Sequence, residues 1–171
     1  MFGTITTDDA KAFDPFPMLR VLQQAGVNYA VFGQVAGILH GSLELTGDLD
    51  VLWDGSDEVD RMAEVFAEAG VVLRDEHGGL VSDYPAALRA PKVYFEGIGS
   101  TGDLCTPRLP WGSLDVESFL TRRVVATEGE LVVPYFRLDD LITMRRAVAR
   151  PKDRRRADEL ERIRSRLRHT E

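Results

Sequence analysis

The segment from residue 33 to residue 51 constrains the fold of this chain more than any other. It reads GQVAGILHGSLELTGDLDV, so a glycine turn opens a helix-like stretch and an Asp-apolar-Asp pair begins the next apolar run. Asp48 and Asp50 are two positions apart in a strand-like run, and side chains at that spacing project from the same face. Two carboxylates that converge on one point favour a hard cation such as Mg²⁺.

The turn at Gly33-Gln34 predicts a second site beside the first. N–H groups at a helix N-terminus, with the helix dipole behind them, bind phosphate, and glycine lets the backbone approach closely. We therefore expect a phosphate site next to a metal site.

The rest of the sequence predicts one α+β (α/β) domain, a small mixed twisted sheet flanked by helices. Helices are predicted at residues 17–24, 35–40, 57–69, 113–120, 138–148 and 151–167, and strands at residues 29–32, 49–53, 71–73, 92–95, 103–106, 124–127 and 131–134. Residues 54–56, Asp-Gly-Ser, are expected to form a turn and cap the helix that follows. Residues 75–91 are expected to be an irregular connection. The domain spans residues 1–171, with 1–16 at its periphery and C-terminal helices over 137–168.

Composition excludes several classes of protein. The lone Cys105 allows neither an internal disulfide nor a Cys-rich zinc site. No stretch approaches the roughly 20 apolar residues of a membrane span and no export signal is visible, so we expect a cytoplasmic protein without a membrane partner. The net charge of -7 disfavours indiscriminate nucleic-acid binding, although eleven of the 21 basic residues lie between Arg145 and Arg168.

Several motifs together resemble the nucleotidyltransferase superfamily of polymerase-beta-like enzymes, especially its minimal and AbiEii-toxin-like branches. They are the Gly33-Gln34 turn, Asp48-Leu49-Asp50, and a late LDDLITM segment followed by RPKD at residues 150–153. The resemblance covers residues 18–168. It implies the nucleotidyltransferase fold and transfer of NMP from an NTP to an RNA, protein or small-molecule acceptor. A toxin of a toxin–antitoxin pair is one such protein; RNA, an antitoxin-like partner and a second copy of the chain stay open as partners.

The resemblance also implies a set of site residues. Asp48 and Asp50 would hold Mg²⁺ or Mn²⁺, and the family's third carboxylate would be Asp103, a third catalytic and metal residue, with Asp115 as the alternative. The nucleotide-binding residues would be Gly33, Gln34, Thr46, Arg145, Lys152 and Asp153.

Four residues depart from the family pattern. Gln34 replaces a small residue of the turn, and Arg145 replaces Lys. Glu44 stands where the toxin-like branch commonly has Arg, and Gly47 stands where it often has another basic residue. A catalytically degenerate module that binds nucleotide or a protein partner is therefore the alternative function, and a structural protein without a nucleotide site is a third. The arginine-rich tail also fits an ordinary solvated helix with ion pairs.

Overall fold

The computed structural model describes residues 13–56 and 58–170, and within them one mixed sheet carries helices on both faces. The helices are α1 Phe16–Ala25, α2 Gly33–Leu39, α3 Val59–Ala69, α4 Tyr84–Arg89, α5 Val116–Thr121, α6 Leu138–Val148 and α7 Pro151–Arg168. The strands are β1 Tyr29–Phe32, β2 Asp50–Trp53, β3 Val72–Arg74, β4 Lys92–Gly97, β5 Ser100–Cys105, β6 Val124–Glu128 and β7 Leu131–Tyr135.

The sheet is ordered β3-β4-β5-β2-β1-β7-β6. The pairs β2/β5 and β1/β7 are parallel, and the other neighbours are antiparallel. Strands β3, β4 and β5 form one end of the sheet, and the β6/β7 hairpin forms the other. The two parallel pairs join these ends to the central antiparallel pair of β1 and β2. This mixed sheet with flanking helices confirms the predicted fold class.

Alternation along β2 sets the orientation of the site. Val51 and Trp53 are buried in the larger core, which also contains Met18 of α1 and Phe66 of α3. Leu52 is buried in the smaller core on the opposite face. Because successive side chains of a strand point to opposite faces, Asp50 lies on the face of the smaller core, beyond its apolar part.

The smaller core contains the lone cysteine and keeps its thiol protonated. Cys105 packs beside Leu52 and Phe119 of α5. Burial, together with the nearby charges of Asp103 and Asp50, raises the pKa of the Cys105 thiol to about 12. The thiol therefore stays neutral near pH 7 and acts as a packing residue.

The structure corrects two local predictions between residues 54 and 91. Residues 75–91 contain α4, because the Asp83 side chain accepts a hydrogen bond from the backbone N–H of Ala86 and a proline occupies the first turn. The 54–56 segment forms its turn, with Asp54 accepting from the Ser56 N–H at 2.9 Å, but it does not cap α3, which follows Glu58 without a side-chain cap. The predicted first residue of that helix, residue 57, lies outside the described residues.

The turn between β4 and β5 is shorter than predicted. The strands extend to Gly97 and Ser100, so only Ile98 and Gly99 connect them, with φ angles of 38° and 90°. Two consecutive positive φ angles suit the right-handed twist of a tight hairpin. The other predicted elements are present, with ends that differ by a few residues.

Two expectations concern the ends of the chain and the membrane. Of the segment predicted to be peripheral, residues 1–12 lie outside the described part, and α1 begins at Phe16. Along the described chain, no helix combines the length and apolar character that crossing a membrane requires.

Candidate active site

A row of four side chains crosses four neighbouring strands on one face of the sheet. The parallel register of β2 and β5 puts Asp50 beside Asp103. Asp103 pairs across the hairpin with Tyr94 of β4, and Tyr94 pairs with Arg74 of β3. Adjacent strands are about 4.8 Å apart, so this cross-strand row is about 14 Å long. It ends in two carboxylates on the central side and a guanidinium at the sheet edge.

Asp48 extends the acidic end of the row. It lies just before β2 and forms a single parallel β-bridge with Thr101 of β5. The hydroxyl of Thr46 accepts a hydrogen bond from the Asp48 N–H at 3.2 Å, so Thr46 shapes the turn into the strand. The structure therefore places Asp48 and Asp50 at the start of β2 and Asp103 on the neighbouring strand β5, and Thr46 precedes Asp48 by two residues.

The environment of this cluster disfavours the ionised forms of Asp50 and Asp103. Burial, and then the charges of Asp103 and Asp48, raise the pKa of Asp50 to about 7, while Arg145 and Lys152 oppose the shift. Burial also raises the pKa of Asp103, and nearby Lys92 opposes that shift. Neighbouring carboxylates disfavour each other's ionised form, and a bound cation would relieve that repulsion.

The carboxylates have the right chemistry for a divalent cation, but they are not gathered into a finished site. Across residues 13–56 and 58–170, no three His, Cys, Asp or Glu side chains stand together as a ligand set. Asp50 is partly buried and Asp48 is exposed, and no hydrogen bond contributes to the pKa shift of Asp50. These two carboxylates fit Mg²⁺ or Mn²⁺ as a pair. The Asp103 carboxylate is 3.8 Å from the Lys92 ammonium.

Gly33 packs directly against Asp50. Its φ is +65°, and a Cβ added there would lie 2.1 Å from Oδ2 of Asp50. The first five residues of α2 are all buried. The glycine is thus needed for both its backbone conformation and its lack of a side chain.

Gln34 has a structural role in this turn. Its side chain is 3% exposed, and its Nε2 donates to the Ser42 hydroxyl at 2.9 Å and to the Glu44 carbonyl at 2.7 Å. The Ser42 hydroxyl in turn donates to Glu159 of α7. The amide of Gln34 therefore joins α2 to the loop before β2 and, through Ser42, to the C-terminal helix.

Glu44 is matched by arginines from α7. Its carboxylate lies 2.7 Å from Arg155 and 3.2 Å from Arg156. Burial opposes ionisation of Glu44, but hydrogen bonds and charge from these two arginines lower its pKa overall. The unfavourable charge expected from Glu in place of Arg is therefore compensated within the protein.

Asp153 organises the basic side of the site. It is fully buried, and its two carboxylate oxygens accept from Arg145 at 2.8 Å and from Arg150 at 2.7 Å. Burial opposes ionisation, yet these bonds lower the pKa of Asp153 overall. Asp153 thus holds the arginines in place, and its buried oxygens are already occupied by them.

Lys152 is the cation that remains available beside this network. Burial, followed by the charges of Arg156, Arg145 and Arg150, lowers its pKa. It forms no ion pair with another described residue, and its charge acts on Asp50. An ammonium held among like charges gains from contact with an anion.

The outer arginines of the C-terminal helices are partly engaged in ion pairs. Arg146 pairs with Asp158 and Glu161, and Arg164 pairs with Asp139. This agrees with the interpretation of the arginine-rich tail as a solvated, ion-paired helix.

Sequence reasoning missed Arg74, Lys92 and Tyr94 and left two candidates for the third carboxylate. Two of the missed residues, Lys92 and Tyr94, could have been found from the alternation along β4. With Glu96 they alternate with buried positions, and this pattern places them on one face of the strand. No sequence pattern indicated Arg74, because its position next to Tyr94 depends on how β3 pairs with β4. Asp115 caps α5 by accepting from the Ser118 N–H at 3.2 Å, so Asp103 is the carboxylate beside Asp50.

Comparison with known proteins supports the fold. No protein-family model matches the chain, and no curated protein has a matching sequence. The chain is similar to the crystal structure of an antigenic nucleotidyltransferase-like protein from Paracoccidioides brasiliensis, with a TM-score of 0.56 and 12% sequence identity. The match covers 92% of this chain and 76% of that one. The nucleotidyltransferase-like fold expected from the sequence is confirmed, and the AbiEii-like branch stays a prediction.

Proposed function

We propose that this protein is a metal-dependent nucleotidyltransferase that transfers NMP from an NTP to an acceptor. One observation carries the proposal: Asp50 lies beside Asp103 in the sheet, near Asp48, and against the Gly33 turn. Two separate strands and a glycine turn thus meet at one carboxylate, whose environment disfavours its charge unless a cation is present.

The roles follow from the surroundings of each group. Asp48 and Asp50 would hold the cation, which, when bound, neutralises phosphate charge and orients the triphosphate. The positive charges of Arg145 and Lys152 act on Asp50. These two side chains would bind the phosphates. Asp103, with its raised pKa, would accept the proton of the acceptor. The predicted phosphate binding by the N–H groups after Gly33 stays part of the proposal.

The departures from the family pattern are consistent with an enzyme. Gln34 directs its amide nitrogen to Ser42 and the Glu44 carbonyl, and the Glu44 carboxylate is paired with arginines of α7. Neither side chain therefore leaves an uncompensated group that would repel a triphosphate.

The direct test is a label-transfer assay. The purified chain is incubated with Mg²⁺, each α-labelled NTP and a pool of acceptors that includes total RNA and small metabolites. We expect transfer that Asp48→Ala abolishes and Asp103→Asn reduces by at least about a hundredfold, as general base loss commonly does. Asp115→Asn is the matched control, because Asn also caps helices and the site is unaffected. Absence of transfer to every acceptor, from every NTP, would count against the proposal.

A second candidate is a nucleotide-binding module of the same fold. The observation that favours it is the internal pairing of Arg145 and Arg150 with Asp153, which leaves less positive charge for a triphosphate. Calorimetry separates the candidates: NTP binding that needs no Mg²⁺ and is unchanged by Asp50→Asn supports the module, and Mg²⁺-dependent binding supports the enzyme. A toxin role is a further proposal that rests on the sequence resemblance alone.

A further inference from the structure

Strand β6 forms an open edge at one end of the sheet. It is last in the strand order, and among the described strands it pairs with β7 alone. The opposite end of the sheet is covered, because the chain after β3 folds back onto it. The Val81 N–H donates to the Leu73 carbonyl at 3.0 Å. Leu80 forms a β-bridge with Arg74. No described segment covers β6 in this way, so its outward N–H and C=O groups can pair with another strand.

The composition of β6 does not protect this edge. The strand Val124–Glu128 has its one charged residue at its end, and it contains no proline and no residue with a positive φ angle. Val125 is 59% exposed, and Val132 of β7, on the same face, is 42% exposed. Edges that stay unpaired usually carry lysine, proline or a bulge. This edge therefore has the composition of a strand that pairs further.

Helix α1 holds the β6/β7 turn in place. Nε2 of Gln23 donates to the Glu130 carbonyl at 3.1 Å, and Oε1 of Gln23 accepts from the Val132 N–H at 2.8 Å. The hairpin is therefore ordered before any partner arrives. A strand that is already ordered loses less conformational entropy when it binds.

The two ends of β6 carry opposite charges. Arg123 directly precedes the strand, and its guanidinium donates to the Leu120 carbonyl at 2.7 Å. Glu128 and Glu130 lie at the other end, and both are exposed. None of these three charged side chains forms an ion pair with another residue in the described part of the chain. An antiparallel copy of the strand would bring opposite charges together, whereas a parallel copy would align like charges.

We propose that two copies of this chain form a dimer through antiparallel pairing of their β6 strands, about a two-fold axis at Ala126. Val125 of each copy then lies opposite Thr127 of the other, and pairs of β-branched residues are favourable across strands. The two seven-stranded sheets become one continuous sheet.

This register also matches the charges at the ends of the strands. Arg123 of each copy lies opposite residue 129 of the other, between the carboxylates of Glu128 and Glu130. Strand β6 is separated from β2 by β7 and β1, so Asp50 lies far from the paired edge. The dimer therefore leaves the candidate active site open, and it does not depend on the proposed nucleotidyl transfer.

Sedimentation equilibrium of the full chain, over a range of concentrations, tests the dimer. We expect a reversible monomer–dimer equilibrium and, in Val125→Lys, a dissociation constant that is higher by roughly tenfold or more, because two ammonium groups enter the paired edge. Val125 is largely exposed, so the melting temperature of the monomer should stay unchanged. Leu80→Lys is the matched control, since Leu80 is 71% exposed at the opposite edge of the sheet. A chain that stays monomeric up to its highest soluble concentration, or equal dissociation constants in Val125→Lys and Leu80→Lys, would overturn the inference.

An exchange of charges tests the antiparallel register. Arg123→Glu should weaken self-association roughly tenfold, and so should the double variant Glu128→Arg with Glu130→Arg, because like charges then meet at both ends of the interface. When the two variants are mixed in equal amounts, they should associate with close to the wild-type affinity, because every contact again joins opposite charges. A fold defect in either variant would not be repaired by mixing, so recovery supports the interface directly. Association that stays weak in the mixture would overturn the inference.

Discussion

Gly33 offers the sharpest test of the site, because its substitution affects both the backbone and Asp50. In Gly33→Ala the new Cβ would lie 2.1 Å from Oδ2 of Asp50, so the carboxylate must move by about 1 Å to reach an ordinary contact. A displacement of that size in a catalytic group can cost on the order of a hundredfold in rate. The φ of +65° adds a strain of about 1 to 2 kcal/mol.

Gly26→Ala is the matched control for backbone strain. Gly26 ends α1 with a φ of +69°, and a Cβ there would meet nothing within 4 Å. Both variants should therefore lose about 1 to 2 kcal/mol of stability, which lowers the melting temperature by roughly 2 to 8 °C. Only Gly33→Ala should also lose about a hundredfold in kcat/KM for NMP transfer, since only that substitution displaces Asp50.

The assay pairs thermal melts of both variants with steady-state transfer from a labelled NTP, at a temperature where both are folded. Equal activity in the two variants would refute the argument that the Gly33 turn and Asp50 belong to one site. A much larger stability loss in Gly33→Ala would show that the clash is relieved by wider rearrangement instead of by movement of the carboxylate.

Three further substitutions test the framework around the site. Gly102→Ala should prevent folding or cost more than about 4 kcal/mol, because its Cβ would lie 1.8 Å from the backbone oxygen of Leu49; circular dichroism and urea unfolding would check this. Asp153→Asn should cost about 3 to 5 kcal/mol at pH 7 by leaving Arg145 buried and unpaired. The pKa of Asp153 is lowered in the folded state, so its contribution is present above about pH 4 and is lost as pH falls further; urea unfolding at pH 7 and pH 3 should show the difference shrinking. Lys152→Ala should raise the KM for NTP about tenfold, the effect of one charge-assisted hydrogen bond, and an unchanged KM would argue against phosphate contact.

Local sequence patterns were sufficient for most of the secondary structure. The αL glycine at residue 26 ends α1, and the apolar run before Gly33 is β1. Helix α4 was missed because the segment around it is rich in Gly and Pro, and the signal lay in the capping contact of Asp83 with Ala86. A single capping residue is a weak predictor when no apolar stripe accompanies it.

The acidic pair could be proposed from the sequence, but its surroundings could not. The neighbours of Asp50 across the sheet are set by the parallel pairing of β2 with β5, which are about fifty residues apart. The sequence did not indicate that register or the pairings of β5 with β4 and of β4 with β3, so the row that continues from Asp103 to Tyr94 and Arg74 was not expected. The pairing of Glu44 with Arg155 depends in the same way on how α7 packs.

The central claim is that Asp48 and Asp50 bind a divalent cation between the Gly33 turn and the basic residues of the C-terminal helices. A crystal structure with Mn²⁺ and a non-hydrolysable NTP tests it most directly through the anomalous signal of manganese. We expect a peak within coordination distance of both carboxylates, with the phosphates towards Arg145 and Lys152. Manganese bound away from both carboxylates, or phosphates that contact neither Arg145 nor Lys152, would contradict the account.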